Sequence, residues 1–316
     1  MKNRYFIITV DTEGDNLWGT KPEINKLILP TTRNISGIIR FQELCEKFNF
    51  PVTYFTSYDM ACNQWFVETA KNIIKKKTGE IGMHMHAFST PPFYPLIDMR
   101  GGGLAYANEF PSKIIWEKYH YMTGLLEDTF QLPITSHRGG RWCLNNHILK
   151  DLDKLGYIVD CSITPGVNWS KHKGQTLKSK GNDYTKYKSK PYKIKNTNMW
   201  ELPVSIYPSW KLNFSFVHRG DKLLKKELLW MRPFPGNLDK MKKIVKSAFL
   251  YRSNYIEFMI HSSELHPDTN LTFKGKKSIE QLFNDIESLF IFLKNKGYYG
   301  ITCTDYVKGE LGFGKK

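Results

Sequence analysis

Three acidic side chains, Asp11, Glu13 and Asp15, follow directly on the run Phe6-Ile7-Ile8-Thr9-Val10. The run is apolar and rich in β-branched residues, so it reads as a buried strand with a carboxylate cluster at its end. Carboxylates crowded there repel one another and lose hydration, so a cation or a catalytic task is expected to offset the cost. A second short run, Glu80-Ile81-Gly82-Met83, ends in His84-Met85-His86. In an extended chain residues i and i+2 share a face, so both imidazoles can point the same way. Two imidazoles and one carboxylate with an open position are the usual composition of a hydrolytic zinc site. His-x-His is a weak signal alone and gains weight beside a strand that ends in Asp-x-Glu.

Other strand ends carry ionisable residues too. Ser136-His137-Arg138-Gly139-Gly140-Arg141-Trp142 places two arginines around glycines. A guanidinium is always charged and can hold a neighbouring carboxylate ionised, although surface arginines are an equal reading. Asp160 precedes Ile163-Thr164-Pro165-Gly166-Val167-Asn168-Trp169, and Met259-Ile260 runs into His261-Ser262-Ser263-Glu264-Leu265. The repetition of ionisable strand ends says more than any single motif.

Alternating elements must bring these ends together. Helical apolar spacing covers 34–49, 66–77, 113–129, 145–155, 238–250 and 278–294, and strands are expected at 51–56, 80–84, 134–138, 157–161, 200–206, 256–261 and 299–303. The alternation predicts a parallel sheet with helical crossovers, and closure into a barrel would gather the C-terminal strand ends at one mouth. The length of 316 residues suits one such domain over residues 1–316. Long loops are expected near 91–111 and 162–198. The second holds a stretch, Lys171 to Lys195, with nine lysines and a single acid, Asp183; it reads as a solvated loop, or as a grip for a sugar phosphate or a nucleic acid.

Taken together, Asp11-Thr12-Glu13, Glu80 to His86, Arg138 to Trp142, Asp160 to Trp169 and His261 to Leu265 resemble, in order, the motifs of the polysaccharide deacetylases (NodB homology, carbohydrate esterase family 4). The nearer resemblance is to the branch tied to surface-polysaccharide and O-antigen synthesis. It implies an irregular, TIM-like (β/α)7 barrel and a metal-dependent N-deacetylase in which metal-bound water attacks an acetamide. It also implies Asp11 as base, His261 as acid held by Asp160, Arg138 as the group orienting the base, and Glu13, His84 and His86 as ligands of a divalent ion, zinc foremost. Trp142, Trp169 and Arg141 are the expected substrate contacts. The sequence departs from the family in having Asp-x-Glu for Asp-Asp and His-x-His for His-x-x-x-His, with Phe88 where the second histidine would fall. A catalytically inactive carbohydrate-binding relative is the alternative.

Formal charge is +16, from 46 Lys and Arg against 30 Asp and Glu, which suits a phosphate-bearing nucleotide- or lipid-linked glycan precursor and peripheral attraction to an anionic membrane. Nucleic acid is a minor reading. The five cysteines are scattered singly, which excludes a CxxC zinc or redox motif. The first apolar run is too short for a signal peptide or a membrane span, so a cytoplasmic protein is expected.

Overall fold

A computed structural model describes residues 3–15, 31–212, 224–251 and 253–313. Strand β1 (Arg4–Thr12) is flanked by β10 (Tyr255–His261) on one edge and by β2 (Val52–Thr56) on the other. The parallel order runs on from β2 through β3 (Gly79–Met85), β4 (Ser136–Gly139), β5 (Val159–Asp160) and β7 (Trp200–Glu201), with β6 (Tyr192–Lys193) antiparallel to β7. Between β7 and β10 the wall is completed by isolated bonds: the Ser205 amide donates to Glu257 O, that of Met231 to Ser205 O and that of Met259 to Met231 O. Pro203 cannot donate to a ladder, which fits a break in regular pairing there. The sheet is a curled, irregular (β/α) barrel.

Parity sorts its two faces. Phe6, Ile8 and Val10 of β1 pack outward against the helices, whereas Tyr5 and Ile7 join Phe55, Val159 and Leu202 inside the barrel. The covering helices are α1 (Ile35–Lys47), α2 (Tyr58–Ala61), α3 (Gln64–Lys76), α4 (Ser112–Phe130), α5 (Asn146–Lys154), α6 (Leu238–Leu250) and α7 (Gly275–Asn295). α1 buries Ile35, Ile38, Phe41 and Cys45, the 3.6-residue stripe expected of a helix on a sheet. In α3 the Asn63 side chain accepts the Phe66 amide as an N-cap, and Lys77 takes the left-handed position (φ 58°) at the other end.

Two expectations are corrected. The strand expected at 299–303 is β11 (Tyr298–Gly300), which pairs with the start of β1, and the chain then turns into α8 (Cys303–Glu310). Thr302 caps α8 by accepting the Asp305 amide, and Cys303, Tyr306 and Val307 plug the barrel from below. The strand expected at 200–206 is split, its second part opening an antiparallel hairpin of β8 (Ile206–Leu212) and β9 (Leu224–Trp230). The two long loops are stitched together: Gly101 and Gly103 amides donate to Gln175 and Gly174 carbonyls, and the Glu109 carboxylate accepts the Gln175 and Thr176 amides.

Candidate active site

Asp11 and His261 are register partners at the C-terminal ends of adjacent strands, so the sheet itself sets them side by side. His261 Nε2 lies 3.7 Å from Asp11 Oδ2 and 4.0 Å from Glu13 Oε1. His84 and His86 arrive from β3 and approach the same Glu13 Oε2, at 3.5 and 3.0 Å from their Nε2 atoms. One ligand atom from each of Glu13, His84 and His86 lies within 4.8 Å of the others, and all three residues are buried. Two imidazole nitrogens and a carboxylate oxygen converging this closely fit a first-row divalent ion by donor type.

The backbone around these donors is fixed. The Ser262 hydroxyl accepts the Glu13 amide (3.0 Å) and donates to its carbonyl (2.8 Å), and Asn34 Nδ2 donates to that carbonyl as well. His84 Nδ1 sits 3.0 Å from the Arg138 carbonyl, which takes the Nδ1 proton and leaves Nε2 facing Glu13. Gly140 is required by close approach, since a Cβ there would lie 2.7 Å from Met85 O and 3.1 Å from the His86 ring.

Arg138 organises Asp11. Its fully buried guanidinium donates to Asp11 Oδ1 (2.6 Å), Thr9 Oγ1 (3.0 Å), the Cys161 carbonyl (2.9 Å) and Glu257. Burial alone would raise the Asp11 pKa, but the Arg138 charge beside it, with the neighbouring imidazoles, brings it below the ordinary carboxylate range. For Glu13 burial is likewise outweighed, here by hydrogen bonds from His84 and His86, and the pKa falls well below its usual value. Glu257 goes the other way: burial outweighs Arg138 and moves it up to about 7.

The expectation that Asp160 holds His261 is not met. Asp160 Oδ1 pairs with His137 Nδ1 at 2.6 Å and accepts from Ser162, and burial together with the Asp160 charge pushes the adjoining Glu201 carboxyl well up. Instead His261 Nδ1 faces Arg232 Nη2 at 2.9 Å and Glu264 Oε2 at 3.4 Å, while Arg232 donates to Glu264 Oε1 at 2.9 Å. Burial raises the Glu264 carboxyl, but Arg232 and His261 bring it down to about 2, so it stays ionised. A neutral ring accepts from Arg232 through Nδ1 and carries its proton on Nε2; a charged ring donates Nδ1–H to Glu264. Thus both protonation states of His261 have a partner.

A cavity of about 160 Å³ opens over these groups, lined by Asp11, His84, Trp142, Trp169, Arg141 and His261 together with Tyr106 and His172. Arg141 and Trp142 both occupy the left-handed region (φ 57° and 58°), which costs non-glycine residues about 1–3 kcal/mol each. That turn sets the Trp142 ring 5.4 Å from Arg138 Cζ. Arg141 lines the cavity, and its guanidinium also lies over the Tyr106 ring at 3.8 Å and donates to the Leu104 and Lys173 carbonyls, so it ties the two loops together at the cavity edge. Trp169 is anchored by its indole N–H to Thr164 Oγ1 (2.8 Å). Sequence reasoning missed Tyr106, His172, Arg232, Glu257 and the role of Glu264.

No family model and no curated protein matches the sequence. Solved structures do match. A protein of Mycobacterium smegmatis assigned as a polysaccharide deacetylase is 12% identical with a TM-score of 0.55, over 97% of this chain and 90% of that one. A 4-alpha-glucanotransferase from Thermococcus litoralis also gives 0.55, at 10% identity, over 98% of this chain but 40% of that one. The Xyl-CE4 domain of a multidomain xylanase from the hindgut metagenome of Trinervitermes trinervoides gives 0.46 at 9% identity, over 97% and 91%. The likeness is one of fold alone: the curled sheet is that of an irregular (β/α)7 barrel, shared with the Mycobacterium smegmatis protein.

Proposed function

We propose that this chain is a metal-dependent N-deacetylase that hydrolyses the acetamide of an N-acetylated sugar in a surface-glycan precursor. The observation that carries the reading is the Glu13, His84 and His86 cluster set beside an Arg138-held Asp11 and His261, with Asp11, His84 and His261 lining one cavity. A divalent ion bound by Glu13, His84 and His86, zinc by preference of the donors, would supply Lewis acidity that makes water nucleophilic near neutral pH. Asp11, kept ionised by Arg138, takes the proton of the attacking water. His261 delivers a proton from Nε2 to the departing amine nitrogen, which leaves poorly as an anion, and Glu264 holds the ring while it is charged. Trp142 and Trp169 present ring faces to the sugar, and the stitched loops wall the cavity against water.

Net charge of +16 supports a phosphate-bearing, nucleotide- or lipid-linked precursor over a neutral polymer, with nucleic acid a poor fit to so narrow a cavity. All five cysteines are free, including Cys161 and Cys303 with sulfurs 3.8 Å apart, which supports work in a reducing compartment such as the cytoplasm. Among the described residues no helix is long and apolar enough to cross a membrane.

Metal content after dialysis, for the wild type and His86→Ala, followed by acetate release from N-acetylated sugars by the wild type and Asp11→Asn, tests the proposal. About one ion per chain, lost in His86→Ala, with acetate release cut at least about 10²-fold in Asp11→Asn, is expected. Failure to take up zinc, or acetate release indifferent to Asp11→Asn, overturns it; glycan binding without metal would favour the inactive relative.

A further inference from the structure

At the other end of the barrel, residues 240–256 hold five Lys or Arg and no acid, and 288–304 hold Lys294 and Lys296 and no acid. The described part of these stretches folds into one surface. Phe249 and Leu250 at the end of α6 are 63% and 78% exposed, and followed by Tyr251 at 51%. They border a groove shared with Arg4, Lys246, Phe292 and Lys296. The cations lie over the rings: Arg4 Cζ is 5.2 Å from the Phe249 centroid, and Lys242 and Lys296 Nζ are each 5.8 Å from that of Phe292. Apolar side chains ringed by cations at the end of a basic amphipathic helix match the chemistry of a membrane interface, where rings enter the acyl boundary and ammonium groups meet lipid phosphates.

We infer that this face docks on an anionic phospholipid surface. Charge selects that occupant. A second copy placed on the patch by a two-fold axis would set the same cations against each other, in a chain already at +16. A bilayer carrying anionic lipid supplies both the apolar layer and the opposite charge.

Docking also fixes an orientation. Arg4 opens β1 and Asp11 lies near its other end, seven residues on, so the cavity stands roughly 23 Å from the docked face and opens away from the lipid. Under the deacetylase reading, on which this consequence alone rests, the acetamide is reached from the aqueous side, as on a soluble precursor or the distal part of a long lipid-linked one.

Co-sedimentation with vesicles of phosphatidylcholine alone, and of phosphatidylcholine with a minor share of phosphatidylglycerol, tests the inference without reference to catalysis. We expect binding only with phosphatidylglycerol present, weakened strongly when salt is raised about tenfold, and reduced at least about tenfold by F249S/L250S and by K246A/K296A. These positions are on the surface, so circular dichroism and acetate release from a soluble substrate should be unchanged. No binding to phosphatidylglycerol vesicles overturns the inference, as does binding that F249S/L250S leaves intact, which would move the contact to the 171–195 lysines. A wild-type dimer that F249S/L250S dissociates, without vesicle binding, assigns the face to a second copy.

Discussion

Arg138→Met should cost about 3–5 kcal/mol of folding stability, the range for removing one partner of a buried ion pair. Methionine keeps the apolar stem but leaves Asp11 and Glu257, both buried, without the guanidinium they share. The size of the loss should depend on pH. Glu257 already stands at about 7, above its ordinary 4.5, because burial outweighs Arg138. A carboxyl raised on folding binds more protons in the native state, so its contribution is fully present below 4.5 and is lost as pH rises toward 7. Without Arg138 the Asp11 carboxyl moves up and the Glu257 carboxyl moves further up, so the gap between variant and wild type should widen with pH by up to about 1.4 kcal/mol per unit for each carboxyl. Urea unfolding at acid and mildly alkaline pH measures that gap. Arg138→Met/Glu257→Leu should regain about half of the loss at the alkaline pH, since it removes one of the two buried carboxylates left without the guanidinium. A gap that stays the same at both pH values, or a double variant no more stable than the single one, would refute the reasoning.

Glu257→Gln should flatten the wild-type decline in stability between pH 4.5 and about 7; an unaltered slope in urea unfolding would place that titration elsewhere. Glu264→Gln should lower kcat for acetate release by about 10²-fold with KM little changed, whereas Asp160→Asn, which touches His137 and not His261, should lower Tm and leave kcat within about tenfold. The opposite order would return His261 to Asp160.

The barrel was legible because its signals are local. Apolar runs of β-branched residues stopping at acids or histidines mark strand ends whatever their neighbours, and helical stripes such as Ile35, Ile38 and Phe41 mark the crossovers. What was missed depends on pairing across the chain. Nothing beside Asp160 tells that His137 rather than His261 will sit 2.6 Å away, because that follows from the β4 and β5 register, His137 opposite Asp160. Arg232 reaches His261 from the end of a hairpin set beyond the split at Pro203. The strand expected through Cys303 fails for a competing local reason, a Thr302 side chain that caps a helix.

Strand parity carries more of the site than the motifs did. Thr9, Asp11, Glu257 and His261 occupy odd positions on two paired strands with Ile7 opposite Glu257 and Asp11 opposite His261, so all four face the barrel interior. An acid inside the apolar run Tyr255-Ile256-Glu257-Phe258-Met259, in step with His261, is therefore readable as a buried support of the mouth. The same rule accounts for His-x-His. β3 stays extended through Met85, so His84 and His86 fall on one face and both reach Glu13. Phe88 comes after the strand has ended and lies 5.0 Å from the His86 ring, where it packs the imidazole in place of contributing one. One strand end thus supplies both imidazoles of the cluster, and Glu13 supplies its carboxylate.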